Sequence, residues 1–207
     1  QPFARVSHRF TITRDTNDIW FKDIGWELAV VPGVKPQASF GVSRDDSMKS
    51  TTQPLADRET LSMLQDSHYR HGHGENHFSV DRVSEKDAVQ TILEGEECGD
   101  WAALSGANGG LMISCRETAR QHPKEFTATR DKLALKLHSS RAGEELDFRM
   151  ETLVKRWDLA TWHENATSPS RRIPIVEQAL KHNSNAVGWS RTSFLLFSPL
   201  VPGDSAD

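Results

Sequence analysis

Apolar residues in this chain come in short alternating runs closed by turn signals, and that pattern limits what it can fold into. Leu133 to Leu137 reads LALKL, with every second side chain apolar. Successive side chains of a strand point to opposite faces, so such a run buries one face and leaves the other free. Phe10 to Thr13, Trp26 to Val34, Phe148 to Val154, Trp157 to Trp162, Arg172 to Val176 and Thr192 to Phe197 are further strand candidates. Turn signals at Pro32-Gly33, Ala142-Gly143, Ser168-Pro169 and Asn183 to Asn185 separate them. One segment reads differently: Pro54 to Asp66 is expected to be a helix, since Pro54 and Asp57 suit a helix start and Leu61 and Leu64 share a helical face. Lys86 to Leu93 fits a short helix or a strand, and residues 41–53 and 105–110 are loops by composition. Many short strands at this spacing predict a β-rich α+β fold: a sandwich, jelly roll or barrel with a few flanking helices.

A length of 207 residues suits a single domain over 1–207, with a His/Gly-rich loop at 68–77. No stretch approaches the roughly 20 apolar residues of a membrane-spanning helix, so no membrane partner is expected. The net charge of −4 argues against a nucleic-acid coat built on bulk positive charge. The two cysteines, Cys98 and Cys115, show no CxxC spacing and read as unpaired thiols of a reducing compartment. With no basic-then-apolar leader in the sequence, the expected location is cytoplasmic. Asn165-Ala166-Thr167 fits a glycosylation sequon, a triplet that also arises often by chance.

Residues 68–77 read HYRHGHGENH, four histidines and a glutamate in ten positions. Imidazole with carboxylate is the ligand set for Fe(II), Zn or Ni. The two-residue steps His71 to His73 and His73 to Glu75 would put both side chains of each pair on one face of an extended backbone. A solvated loop that binds nothing specific is the competing reading. Residues 157–176, WDLATWHENATSPSRRIPIV, set His163 at the end of an apolar strand, then a polar turn, then Arg171 and Arg172 opening another strand. A histidine followed by such an arginine can hold a metal and clamp a carboxylate through a bidentate pair. By themselves these residues read equally as an exposed histidine and surface charges.

WDLATWH at 157–163 resembles the WDNRATxH signature of the taurine/alpha-ketoglutarate-dependent dioxygenase family of Fe(II)/2-oxoglutarate oxygenases. PLADRETLSMLQDSHYRHG at 54–72 is similar to that family's early helix ending in HG. HFSVDRVSEKDAVQTIL at 77–93 is similar to its H-x-D segment, CGDWAAL at 98–104 to its GGDT-W-A stretch, and RQHP at 120–123 to its HP-containing segment. The resemblance implies a double-stranded β-helix (jelly roll) and an oxidoreductase, a dioxygenase of hydroxylase type acting on a small-molecule substrate. It implies Fe(II) and 2-oxoglutarate as cofactors. His77 and His163 would be metal ligands, and Arg172, with Arg171 as its competitor, would bind the cosubstrate. The family's carboxylate ligand falls two residues after the first histidine, where Ser79 stands here. The carboxylate ligand is disputed between Asp81, two residues late, and Glu75, which follows His73 with the right step.

Two other readings stand beside this one. The chain reads as a non-enzymatic β-rich binding or structural domain with a metal-binding His-rich loop. It also reads as a 2H-type phosphoesterase, since His77-Phe78-Ser79 and His138-Ser139-Ser140 resemble paired H-x-S/T motifs; Arg141 then stands where an apolar residue is expected. The match of Arg70-His71-Gly72, with His182, to a histidine-phosphatase motif lacks the apolar strand that should precede it.

Overall fold

A computed structural model describes residues 3–16, 19–67, 76–84, 88–143, 145–147, 149 and 190–202. Period-two alternation dominates them, and they form twelve strands: β1 (Ala4–Thr11), β2 (Ile24–Ala29), β3 (Gln37–Gly41), β4 (Ser50–Pro54), β5 (Thr60–Ser67), β6 (His77–Val83), β7 (Val89–Gly95), β8 (Trp101–Gly106), β9 (Gly109–Cys115), β10 (Lys124–Ala128), β11 (Lys132–His138) and β12 (Ser190–Leu200). They assemble into two six-stranded antiparallel sheets, ordered β1-β12-β9-β8-β3-β4 and β2-β11-β10-β5-β6-β7. The β-rich expectation therefore holds. The LALKL run is β11, whose Leu133, Leu135 and Leu137 are buried.

The flanking helices expected from the sequence are a correction. Among the described residues the only helical pieces are two 3-10 turns, Ala119–Gln121 and Ser140–Ala142. Pro54 to Asp66, read as a helix, is the end of β4, a turn and most of β5. Asp57 belongs to that turn, where Arg58 takes a left-handed φ of 61°. Leu61 and Leu64 share a helical face but lie on opposite faces of a strand. Leu61 pairs with Ala128 in the core, while Leu64 pairs with Glu125 on the outer face, where the Ser140–Ala142 turn lies against β5. Both leucines are buried, and two buried faces erase the alternation that would have marked a strand. Residues 41–53 are not all loop, since β4 begins at Ser50, and of Lys86 to Leu93 the part from Val89 on is strand, β7. Residues 105–110 narrow to a two-residue hairpin turn: Gly106 pairs with Gly109, whose φ of 95° suits glycine. Of the remaining candidates, Phe148 to Val154 (save Arg149), Trp157 to Trp162 and Arg172 to Val176 lie outside the described residues.

The chain divides into two compact units. The first comprises Gln1–His8, Asp23–Gly143 and Ser193–Asp207; the second comprises Arg9–Lys22 and Glu144–Thr192. In the first, Phe40, Leu104 and Ile113 of one sheet and Leu61, Met63, Phe126 and Leu135 of the other share a hydrophobic core. Lys124 enters the same interior, its Nζ donating to Cys115 Sγ (3.2 Å) and Ser193 Oγ (3.4 Å). Both cysteines are free and buried, and burial pushes the Cys98 thiol up. In the second unit, Phe21 and Leu146 exchange two backbone hydrogen bonds. Phe10 meets Phe21 edge to face at 5.0 Å, and Arg149 sits over the Trp20 ring while pairing with Asp147.

Core and surface substitutions should separate sharply. Phe126→Ala is expected to lower stability by about 3–5 kcal/mol through lost burial and the cavity left behind. Val31→Ser, at a position 81% exposed, should change it by less than about 0.5 kcal/mol. Urea unfolding of the two variants checks both figures.

Candidate functional site

The outer face of the β2-β11-β10-β5-β6-β7 sheet gathers chemistry that alternation alone would leave in water. At one end of it, β5 finishes and β6 begins on either side of the 68–76 connection. Asp66 of β5 and His77 of β6 are joined there, with His77 Nδ1 lying 2.8 Å from Asp66 Oδ1 and 3.0 Å from Oδ2. The other ring nitrogen, Nε2, lies 3.8 Å from Glu94 Oε1 on β7. All three side chains keep contact with solvent. In the tautomer whose Nδ1–H donates to Asp66, Nε2 carries the lone pair, the arrangement found behind metal-bound histidines.

Further along the same face, Ser62, Asp81, Glu125, Ser139 and Arg141 form a closed network. Ser62 and Asp81 are register partners across β5 and β6, and Glu125 faces Leu64 on one side and Lys136 on the other. After β11 the chain turns back over the sheet through Ser140–Ala142, which brings Ser139 and Arg141 onto it. Glu125 accepts hydrogen bonds from Ser62 Oγ (2.7 Å) and Arg141 NH1 (2.6 Å) on one oxygen. Its other oxygen accepts from Ser139 Oγ (2.6 Å) and lies 3.1 Å from Lys136 Nζ. Asp81 accepts from Thr91 Oγ1 (2.9 Å), Ser79 Oγ (2.8 Å) and Arg141 NH2 (3.2 Å). Burial pushes the Glu125 carboxyl up, but the Ser139 and Ser62 hydroxyls with the Lys136 and Arg141 charges outweigh it and hold the group below its ordinary value.

His77 and Asp81 both lie on β6, four positions and about 13 Å of strand apart. The structure does not bring them together: His77 turns to Asp66 and Glu94, while Asp81 is taken by two hydroxyls and a guanidinium. As a pair they do not fit one iron ion. Among the described residues, no group of three or more histidine, cysteine or acidic side chains is arranged to hold a metal. His73, Glu75, His163, Arg171 and Arg172 lie outside the described residues. His138 ends β11, three strand spacings or about 14 Å across the sheet from β6, so His77 and His138 do not form a 2H-type pair either. Glu125 and Arg141 are the residues that sequence reasoning missed. A charged residue inside KEFTA signals an outward-facing position, and only the fold-back of 139–142 turns that position into an interior one.

Scans against protein-family models and against curated proteins find no match to this chain.

The network makes a pH-dependent contribution with a definite sign. A carboxyl held below its unfolded value stabilises the fold above that value and loses the contribution as pH falls through the folded one. Wild type should therefore exceed Glu125→Gln in stability at pH 7, by about 1–3 kcal/mol. The gap should close as pH falls below the ordinary carboxyl value of 4.5. Urea midpoints of both proteins at a series of pH values measure this gap.

Proposed function

We propose that this chain is a non-enzymatic β-rich binding domain whose His-rich stretch takes a divalent metal ion, with His77 of β6 as one of its ligands. The observation that carries the reading is the Asp66–His77–Glu94 arrangement at the foot of the 68–77 stretch. One imidazole nitrogen is held by a carboxylate, and the other faces a second carboxylate and solvent. Imidazole with carboxylate favours Zn(II), Ni(II) or Fe(II) over harder cations. The histidines of 68–75 are the natural source of the remaining ligands. The fold, on this proposal, is a jelly roll. Early strands pair with late ones, β1 with β12, β2 with β11 and β3 with β8, which is the pattern of a long hairpin rolled on itself and supports that winding.

The Fe(II)/2-oxoglutarate oxygenase is the second reading, and the same carboxylate-held His77 favours it. Its iron would need a carboxylate other than Asp81, whose oxygens already serve Ser79, Thr91 and Arg141.

Calorimetric titration of the whole chain with Zn(II), Ni(II) and anaerobic Fe(II) separates the readings. A binding domain of this kind should take up one divalent ion and show no heat with 2-oxoglutarate. His77→Ala should weaken the metal by tenfold or more, and Asp66→Asn by about tenfold through the freed imidazole. Metal affinity unchanged in His77→Ala would overturn the proposal. Succinate released from 2-oxoglutarate by the ferrous protein would replace it with the oxygenase.

A further inference from the structure

A separate site lies on the outer face of the β1-β12-β9-β8-β3-β4 sheet, within the first unit. There β1, β9 and β12 border a hollow of about 680 Å³ lined by Arg5, Ser7, Asp100, Ser114, Arg116 and the Phe194–Leu196 stretch. That volume is in the range of small-molecule sites, which combine apolar lining with a few convergent polar groups. Ser114 and Leu196 are register partners, so the hydroxyl and the apolar side chain sit abreast on one face. The backbone N–H of Arg116 donates to the carbonyl of Phe194 at 3.1 Å, which ties the two residues' backbones together at this edge of the hollow. Phe194 is 49% exposed, a large apolar surface left to water.

The charges in the hollow do not cancel. Asp100 is its one acid, and both of its oxygens already accept backbone N–H groups, from Thr118 at 2.8 Å and Glu117 at 3.0 Å. Arg5 and Arg116 have no ion-pair partner among the described residues. Elsewhere in this unit, three arginines, Arg44, Arg82 and Arg130, each face a carboxylate, from Glu97, Glu59 and Asp57 respectively, while the exposed Arg120 has no ion-pair partner among the described residues. Two guanidinium-bearing residues thus line a hollow whose single carboxylate is already engaged by backbone N–H groups, and a bound anion would meet both positive charges. Guanidinium forks suit carboxylate and phosphate oxygens.

We propose that this hollow binds a small organic anion, a phosphate monoester or carboxylate carrying a flat apolar body. The anionic group lies between Arg5 and Arg116, with the Ser7 and Ser114 hydroxyls as further donors. The apolar body lies on Phe194 and Leu196. Neither the metal reading nor the Asp66–His77–Glu94 arrangement enters this proposal.

Titration of the whole chain with phenyl phosphate, inorganic phosphate and benzyl alcohol tests it. Phenyl phosphate should bind at least tenfold tighter than either fragment, because only it meets both halves of the site. Arg5→Gln and Arg116→Gln should each weaken it about tenfold while leaving the unfolding midpoint in place, since both side chains are exposed. Phe194→Ser should abolish the advantage over inorganic phosphate. Arg44→Gln, which removes an arginine already paired with Glu97, should leave binding unchanged. Binding should also weaken markedly between about 50 and 500 mM NaCl, a readout that needs no variant. Absent phenyl phosphate binding, binding that ignores salt, binding equal to that of benzyl alcohol, or equal losses in Arg44→Gln would each overturn the proposal.

Discussion

Glu125 brings a carboxylate into the interior of a sheet face, and much of the local architecture follows from the need to satisfy it. An ionised carboxylate removed from water is costly unless its oxygens are fully hydrogen-bonded and its charge is met. Here the partners come from β5 (Ser62), β11 (Lys136) and the turn after it (Ser139, Arg141), with Arg141 continuing to Asp81 on β6. One residue therefore links three strands and fixes the path of 139–142 over them. Leu64 can be buried on the outer face because that turn lies against β5. Deleting any one member exposes the others to an unsatisfied partner, so the network acts as a unit.

The same network separates two kinds of acid on one strand face. Asp81, beside Arg141, is closed to any ion. Asp66, at the far end of β5, is open, and its partner is a histidine rather than an arginine. An arginine cannot surrender its charge or accept a metal, whereas an imidazole oriented by a carboxylate presents a lone pair. Position along the sheet thus decides which acid is structural and which can support binding, though both look alike in a list of residues.

How much of this was legible beforehand depended on whether a segment had one buried face or two. Leu133 to Leu137, buried on one side, announced its strand without ambiguity. Leu61 to Gln65, buried on both sides, imitated a helix because Leu61 and Leu64 are three apart. The turn residues at Pro32-Gly33 and Gly106 to Gly109 were readable, since glycine there serves a local backbone need. Of the His-rich stretch, residues 68–75 lie outside the described residues, and only its last histidine, His77, is placed. The spacing between His77 and Asp81 could not reveal that four positions on a strand hold two ligands too far apart. Nor could the sequence reveal Arg141, whose role arises only when a distant turn crosses β5, β6 and β10.

His77 as a proposed metal ligand and Asp81 as a closed structural acid are the two assignments on which the proposed function depends most. Anomalous scattering from crystals grown with Zn(II), recorded on both sides of the zinc absorption edge, tests both halves at once. The account predicts a peak about 2.1 Å from His77 Nε2, with Asp66 still on Nδ1 and the Asp81–Arg141 pair intact. A peak coordinated by Asp81, or none near His77 at saturating zinc, would contradict it.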